Sequence, residues 1–515
     1  MAETGFKKWI ITVTVILAAL LELIDTTVVN VSLPQIMGNL GATLEDVGWV
    51  ITAYSIANVI ILPMSGWLSS RFGRRSYFTF SIILFTVASF FCGNASNIWE
   101  LVAFRFLQGI GGGALLGTGQ AILLETWPKE QHGMAQALFG LGVVVGPTIG
   151  PTLGGYITDH FSWPWVFYVN LPLGLIAMLL TLQYIKDSAL QFKAKTVDWL
   201  GIILLTLAVG SLQIVLERGE SEDWFDTTYI TVLSFIAISA GLIFIWQELR
   251  VESPIVDIRI LKTRSLLLGM FTTFILGFGL FGSVFIFPVF CQNLLGFSAQ
   301  QTGMLLIPGG LSTIFMMPFV GKMLQKKVSP QLMASFGFIL FFLFTFLLSK
   351  ANLNSGESDF YLPLICRGIG LSFLFVPLTA LALGGLKPKD IAQGTGLNNM
   401  MRQLGGSFGI AIITTMVHVR QGYHRSNLVS HLDSTNPQLM DRLNGIVSNF
   451  TNKGFSLEQA QQMAYKALDL TVLKQTYLLS YLDAFWATGF FLILSIPFIW
   501  LQKVNKKVVI PTDAH

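Results

Sequence analysis

The sequence predicts an all-α polytopic membrane protein: two six-helix halves with two extra helices between them. Three observations carry that prediction. Of the 515 residues, 53% are hydrophobic and only 12% charged, where a soluble domain carries about 25% charged, so a water-exposed surface of ordinary area cannot be built. Fourteen apolar runs each reach the length of about 20 residues that a bilayer crossing needs. Landmarks of the first half recur, at an almost constant offset, in the second.

The runs are 9–33, 48–69, 77–95, 98–124, 134–157, 164–185, 198–216, 229–249, 266–290, 303–324, 332–349, 360–385, 396–418 and 478–501. The first follows Lys7 and Lys8 and lacks a small-residue cleavage site, so it reads as a retained helix and not a signal peptide. The connectors alternate in charge. One set holds Lys7/Lys8, Arg71/Arg74/Arg75, Lys129, Lys186/Lys193/Lys195, Arg259/Lys262/Arg264, Lys322/Lys326/Lys327, Lys387/Lys389 and Lys503/Lys506/Lys507. In the other set 34–47, 94–97, 157–162 and 291–301 contain no Lys or Arg, and Arg218 and Lys350 are its short-loop exceptions. The positive-inside rule makes the first set cytoplasmic, with both termini inside, as an even span count requires.

One long segment, 419–477, then falls outside. Asp433-Ser434-Thr435-Asn436-Pro437 reads as a turn, and Ser456 opens a capped helix through about Leu468. This segment is either a solvated hairpin or a docking surface.

Pro34, Gly48, Pro63 and Gly66 recur as Pro288, Gly303, Pro318 and Gly321, and Arg105 recurs as Arg367. That register predicts a first half at 1–190, an inserted helix pair at 191–262 and a second half at 263–515. Internal repeats of this kind build their central cavity where the halves meet.

The most informative single residue is Asp25, a carboxylate inside the first span, with Glu22 one turn earlier. An ionisable group at membrane depth costs roughly 2.5–3.5 kcal/mol on insertion scales and marks an ion or substrate pathway by default. Arg105, in Phe104-Arg105-Phe106-Leu107-Gln108-Gly109, needs a partner for the same reason. At 1.5 Å per residue Asp25 lies about 24 Å from Trp9 and Arg105 about 10 Å from the outer start of its span, which are similar levels. Glu22 and Asp25 share a helix face, so each disfavours ionisation of the other.

Three further patterns have a structural reading of their own. Gly66, Arg71, Gly73, Arg74 and Arg75 form a short basic connector after span 2. Gly142, Gly146, Gly150 and Gly154, with Pro147 and Gly155, put small residues four apart on one face of span 5, which permits close helix packing. Trp163-Pro164-Trp165 opens span 6 as an aromatic belt that continues to Asn170 and Pro172. Cys92, Cys291 and Cys366 form no spaced set and are expected to be free thiols. The six histidines show no metal spacing, and no phosphate-binding loop is present.

Taken together, these patterns resemble the major facilitator superfamily. The connector is similar to its cytoplasmic signature between spans 2 and 3, with Ser70 standing where that signature has an acidic residue. Arg105 matches the span-4 arginine implicated in proton coupling, and the span-5 glycines match the signature of antiporters that export. The span-1 run 23–34, the span-6 entry, the fourteen-helix count and Asn398-Asn399-Met400-Met401-Arg402 resemble the EmrB/QacA family of drug:proton antiporters. Ser211-Leu212-Gln213, Asp223-Trp224-Phe225 and Pro254-Ile255-Val256-Asp257 look closest to its EmrB branch.

The resemblance implies an exporter of amphipathic toxic compounds in a bacterial inner membrane, with the proton gradient as its energy source, no cofactor and no metal. It also implies a periplasmic adaptor and an outer-membrane channel as partners, and 419–477 is a natural adaptor contact. Asp25, Glu22 and Arg105 are the expected proton-coupling set. Tyr54, Gln108, Phe281, Phe285, Met400 and Met401 are candidates for the substrate cavity, with lipid contact as the alternative for the apolar ones. Arg367 and Arg402 either brace the second half or meet anionic substrate groups. Export of a specific metabolite, lipid or siderophore is the alternative within transport, and a transporter-like sensor or scaffold is the alternative outside it. No nucleophile–base constellation supports an enzyme, and nothing in the charge pattern suggests nucleic acid.

Overall fold

The computed structural model describes residues 5–187, 197–433 and 435–502. Lys193, Lys195, Lys503, Lys506, Lys507, the turn residue Ser434 and the expected 190/191 boundary lie outside them. The described residues are helical, with no strand.

In chain order the helices are α1 (Gly5–Leu40), α2 (Leu44–Phe72), α3 (Arg74–Gly93), α4 (Ile98–Thr126), α5 (His132–His160), α6 (Trp165–Tyr168), α7 (Asn170–Tyr184), α8 (Trp199–Arg218) and α9 (Thr228–Arg250). They continue with α10 (Arg264–Asn293), α11 (Ala299–Gln325), α12 (Pro330–Leu348), α13 (Ser358–Leu383), α14 (Ile391–Ser430), α15 (Pro437–Asn452), α16 (Leu457–Ile493) and α17 (Ile496–Trp500). Among the described residues thirteen helical stretches are long and apolar enough to cross a membrane. The expected thirteenth span, 396–418, is not one of them. It lies in α14, whose Asn398, Asn399, Arg402, Gln403 and Ser407 lower its mean hydropathy while facing other helices instead of lipid.

Two departures from the expected spans have local causes. Span 6 is broken into α6 and α7 at Val169. Pro172 has no N–H for the Tyr168 carbonyl, and its ring crowds that carbonyl, so the helix interrupts one turn upstream. The last two spans are parts of much longer helices. α14 has 40 residues and α16 has 37, so each is about 55–60 Å long, well beyond a hydrocarbon core of about 30 Å. The α16 start is where the sequence put it: Ser456 accepts from the Gln459 amide, and the Gln459 side chain accepts from Ser456, closing a capping box. Beyond α14 and α16, the helix α15 packs against α16.

Helix packing here runs on glycine. A Cβ at Gly146 would lie 2.7 Å from the Leu23 Cβ, and one at Gly150 would lie 1.8 Å from the Thr27 Oγ1. α5 therefore lies directly against the part of α1 that carries Glu22 and Asp25. Gly142 and Gly154 extend the same track, whereas Gly155 meets nothing within 4 Å and is not part of it. α8 packs between α2 and α9. α9 turns Phe235, Ile238, Leu242 and Trp246 outward, as a lipid-facing helix does.

Candidate functional site

α1, α4 and α7 converge on Asp25, which is completely buried. Its Oδ2 accepts from Arg105 Nη1 at 2.5 Å. Its Oδ1 accepts from Gln108 Nε2 at 2.8 Å and from Asn170 Nδ2 at 2.7 Å. Arg105, 1% exposed, also donates to Gln108 Oε1 at 2.6 Å and to the Val50 carbonyl at 3.2 Å, and the Tyr54 ring lies 4.2 Å from its guanidinium carbon. A buried charge is tolerated when it is paired and its remaining hydrogen-bonding capacity is filled. Here the charges compensate each other, and both carboxylate oxygens have donors.

Glu22, one turn earlier, meets different neighbours. Its Oε1 accepts from Asn58 Nδ2 of α2 at 2.7 Å, while its Oε2 has no hydrogen-bond partner among the described residues. The two carboxylates are close enough to act on each other, as expected, but their side-chain hydrogen bonds go to different partners. Glu22 lines a cavity of about 550 Å³ and Asp25 does not.

That cavity runs from the middle of α1 to the ends of α1 and α10 at Pro34 and Asn293. Tyr54, Phe281 and Phe285 line it as the sequence suggested, and Arg105 touches it. Five candidates do not line it. Gln108 is spent inside the Asp25 cluster. Met400 and Met401 pack into the hydrophobic core, and Arg402, 2% exposed, has its guanidinium carbon 5.3 Å from the Phe375 ring. Arg367 lies in α13 with its guanidinium carbon 6.0 Å from the Phe344 ring. In α14 it is the next turns, Gln403, Gly406, Ser407 and Ile410, that form the wall.

The opposite end of the bundle is shut. A Cβ at Gly66 would fall 2.7 Å from the Gln393 Cα, and one at Gly133 would fall 3.0 Å from a Leu324 methyl. Between these contacts a buried amide chain crosses α14, α4 and α5: Asn399 donates to Gln120 at 2.9 Å, and Gln120 donates to Gln136 at 2.7 Å. The basic connector lies at this end. Arg74 is paired with Glu125, Arg75 binds Asp187 and the Leu182 carbonyl, and Arg71 lies over Trp67. Gly73 turns at φ 89°, and Ser70 donates back to the Gly66 carbonyl. The three cysteines are free and buried.

Asn170 and Glu217 were missed as site residues from the sequence. Asn170 was visible as a lone amide two residues before the proline that frees its turn. Glu217 of α8 lines the cavity too, but it sits just past the expected end of its span, where an acid reads as an interfacial charge.

A bundle of membrane-length helices closed at one end, with a cavity at the other and a buried ion pair beside it, is the architecture of a membrane transporter. The sequence profile of the Major Facilitator Superfamily matches residues 15–410, and the chain belongs to that superfamily and to the EmrB-type family within it. It is 32% identical over 503 residues to the multidrug export protein EmrB of Escherichia coli K12, covering 97% of this chain and 96% of that one. It is 31% identical over 497 residues to the fatty acid resistance protein FarB of Neisseria gonorrhoeae, covering 96% of each. Among solved structures, the human organic anion transporter MFSD10 aligns with a TM-score of 0.60 at 14% identity, covering 94% of this chain and 99% of that one. That likeness is one of fold.

Proposed function

We propose that this protein exports amphipathic toxic compounds by alternating access, exchanging them for protons across a bacterial inner membrane. The observation that carries the reading is the buried Asp25–Arg105 pair placed against the wall of a cavity closed at one end. A carboxylate held by a guanidinium releases its proton readily, and one separated from it in an apolar wall holds it. Rocking of one half on the other would alternate access to the cavity, and an accompanying shift of α1 against α4 within the first half would alternate those two conditions.

In this reading the chain crosses the membrane fourteen times, α14 included, with both termini cytoplasmic. Residues 1–190 and 263–515 are the two halves, and 191–262 is the insertion. The shut end carries the basic connectors, so the state described is open toward the outside. Glu22 is the second carboxylate of the coupling set. The proton gradient supplies the energy and no cofactor is used. The multidrug names of several relatives and the span-5 glycine track support outward transport of small substrates. The outer helices α14 to α16 are the candidate surface for a periplasmic adaptor leading to an outer-membrane channel.

The name of the FarB relative supports a second reading, export of a lipid-like acid, for which the apolar part of the cavity wall, with Phe281, Val284 and Phe285, is suitable. The test is substrate-stimulated proton flux in proteoliposomes. Wild type should exchange protons for a dye and Asp25→Asn should not. PH-dependent exchange at the wild-type rate in Asp25→Asn removes Asp25 from the mechanism.

A further inference from the structure

The export reading gives α8 and α9 no task. α9 is a lipid-facing helix, but α8 lies against α2 and α14 and reaches the cavity through a single acidic side chain, Glu217. Its Oε1 accepts from Gln213 Nε2 at 2.6 Å, and the same amide donates to Ser407 Oγ of α14 at 2.8 Å. Gln213 thereby fixes the carboxylate from behind. The other oxygen, Oε2, has no donor at ordinary hydrogen-bond distance among the described residues, and the Thr52 and Ser55 hydroxyls of α2 interact with the carboxylate at longer range.

The cavity therefore has two acids. Glu22 is 3% exposed and has one unpartnered oxygen, and Glu217 has another. Between the helices that carry them, Tyr54 and Asn58 are 2% and 1% exposed, and each also has a buried oxygen without a partner at ordinary hydrogen-bond distance. Buried polar groups are normally satisfied. The Tyr54 hydroxyl lies within reach of the Asn58 amide, so the acceptors facing the cavity without a protein donor at ordinary hydrogen-bond distance are the second oxygens of Glu22 and Glu217.

The local cations do not supply that donor. Arg105 is neutralised by Asp25. Arg218, next to Glu217, is turned away to the Glu45 carbonyl and Glu222, with its guanidinium carbon 5.2 Å from the Trp49 ring. Arg402 is close enough to act on Glu22 electrostatically but does not line the cavity. The rest of the wall mixes neutral polar groups, among them Asn30, Thr302 and Gln403, with an apolar part that includes Phe281, Val284 and Phe285.

We propose that Glu217 is a substrate-recognition residue supplied by the inserted helix pair. With Glu22 it makes the cavity a site for organic cations that carry an aromatic or aliphatic body. This rests on the export reading and names its substrate class. A monocation is held chiefly by one acid while its body lies on the phenylalanines, and a dication of suitable length engages both.

The test is direct binding to the purified full-length protein, which does not depend on transport. The probes are tetraphenylphosphonium, a bis-quaternary ammonium dication and a neutral aromatic dye. Glu217→Gln should weaken the dication at least tenfold more than the neutral dye. Glu217→Asp should restore most of the loss, and Asp226→Asn, on the exposed loop after α8, should bind all three as wild type does. Equal weakening of charged and neutral probes, or cation binding by Glu217→Gln at the wild-type level, overturns the proposal, as does a wild-type protein that binds neither cation. Cation binding that follows this pattern without any transport in proteoliposomes leaves the proposal standing and sinks the export reading instead.

Discussion

Asp25 and Glu22 are the same chemistry three residues apart on one helix, and the structure gives them opposite surroundings. Asp25 has a guanidinium and two amides, a donor on each oxygen, and no share in the cavity wall. Glu22 has one amide donor, one idle oxygen and a place in that wall. Burial alone therefore does not define a functional carboxylate. What separates them is whether the protein or an outside partner completes the shell.

The largest expected effect tests the closed shell. Asp25→Ala strands Arg105, a cation that cannot shed its charge, and breaking a buried pair costs about 3–5 kcal/mol. Thermal unfolding in detergent should show a steep loss of stability for Asp25→Ala and a small one for Glu22→Ala. Equal losses would end the comparison.

Next in size is the helix that holds both acids in place. Gly150→Leu has no room against Thr27, and overpacking of this kind costs about 1–3 kcal/mol. Gly155→Ala, with open space around it, should be neutral in the same assay.

A double-mutant cycle sharpens the contrast further. Asp25→Asn with Asn170→Ala should couple by about 0.5–3 kcal/mol, as members of one network do. Asn58→Ala with Asn170→Ala should be additive to within about 0.5 kcal/mol, since they serve different carboxylates.

The smallest effect is on Glu22 itself. Glu22→Gln keeps an acceptor for Asn58 and should hold stability within about 0.5 kcal/mol. Its transport should lose sensitivity to external pH, read as dye efflux across a pH series.

The sequence spoke clearly where a residue's cost is set by the membrane alone. Asp25 and Arg105 are expensive in any apolar helix, their depths can be counted along it, and the structure joins them. Pro172 and Ser456 act within one turn, so their effects are also local and readable. Direction is what periodicity does not carry. Met400, Met401 and Arg402 lie within one turn of Gln403, yet of these only Gln403 lines the cavity, because the packing of α14 against α10 decides the angle. Glu217 needed the packing of α8 on α2 to become an interior residue. The length of α14 escaped because its outer half is amphipathic, with Arg420, His424 and Arg425 pairing across to Asp483 and Asp469 of α16.

That same helix makes contact with the shut end at Gln393, the cavity at Gln403 and Ser407, and the outer hairpin up to Ser430. It is one continuous rod with the cavity beside its middle. From Gln403 to Ser430 is about 40 Å of unbroken helix, so a tilt of about 10° swings the tip by about 7 Å. On the proposed export cycle, a partner resting on the far ends of α14 to α16 would be moved mechanically as the halves rock, with no second signal required.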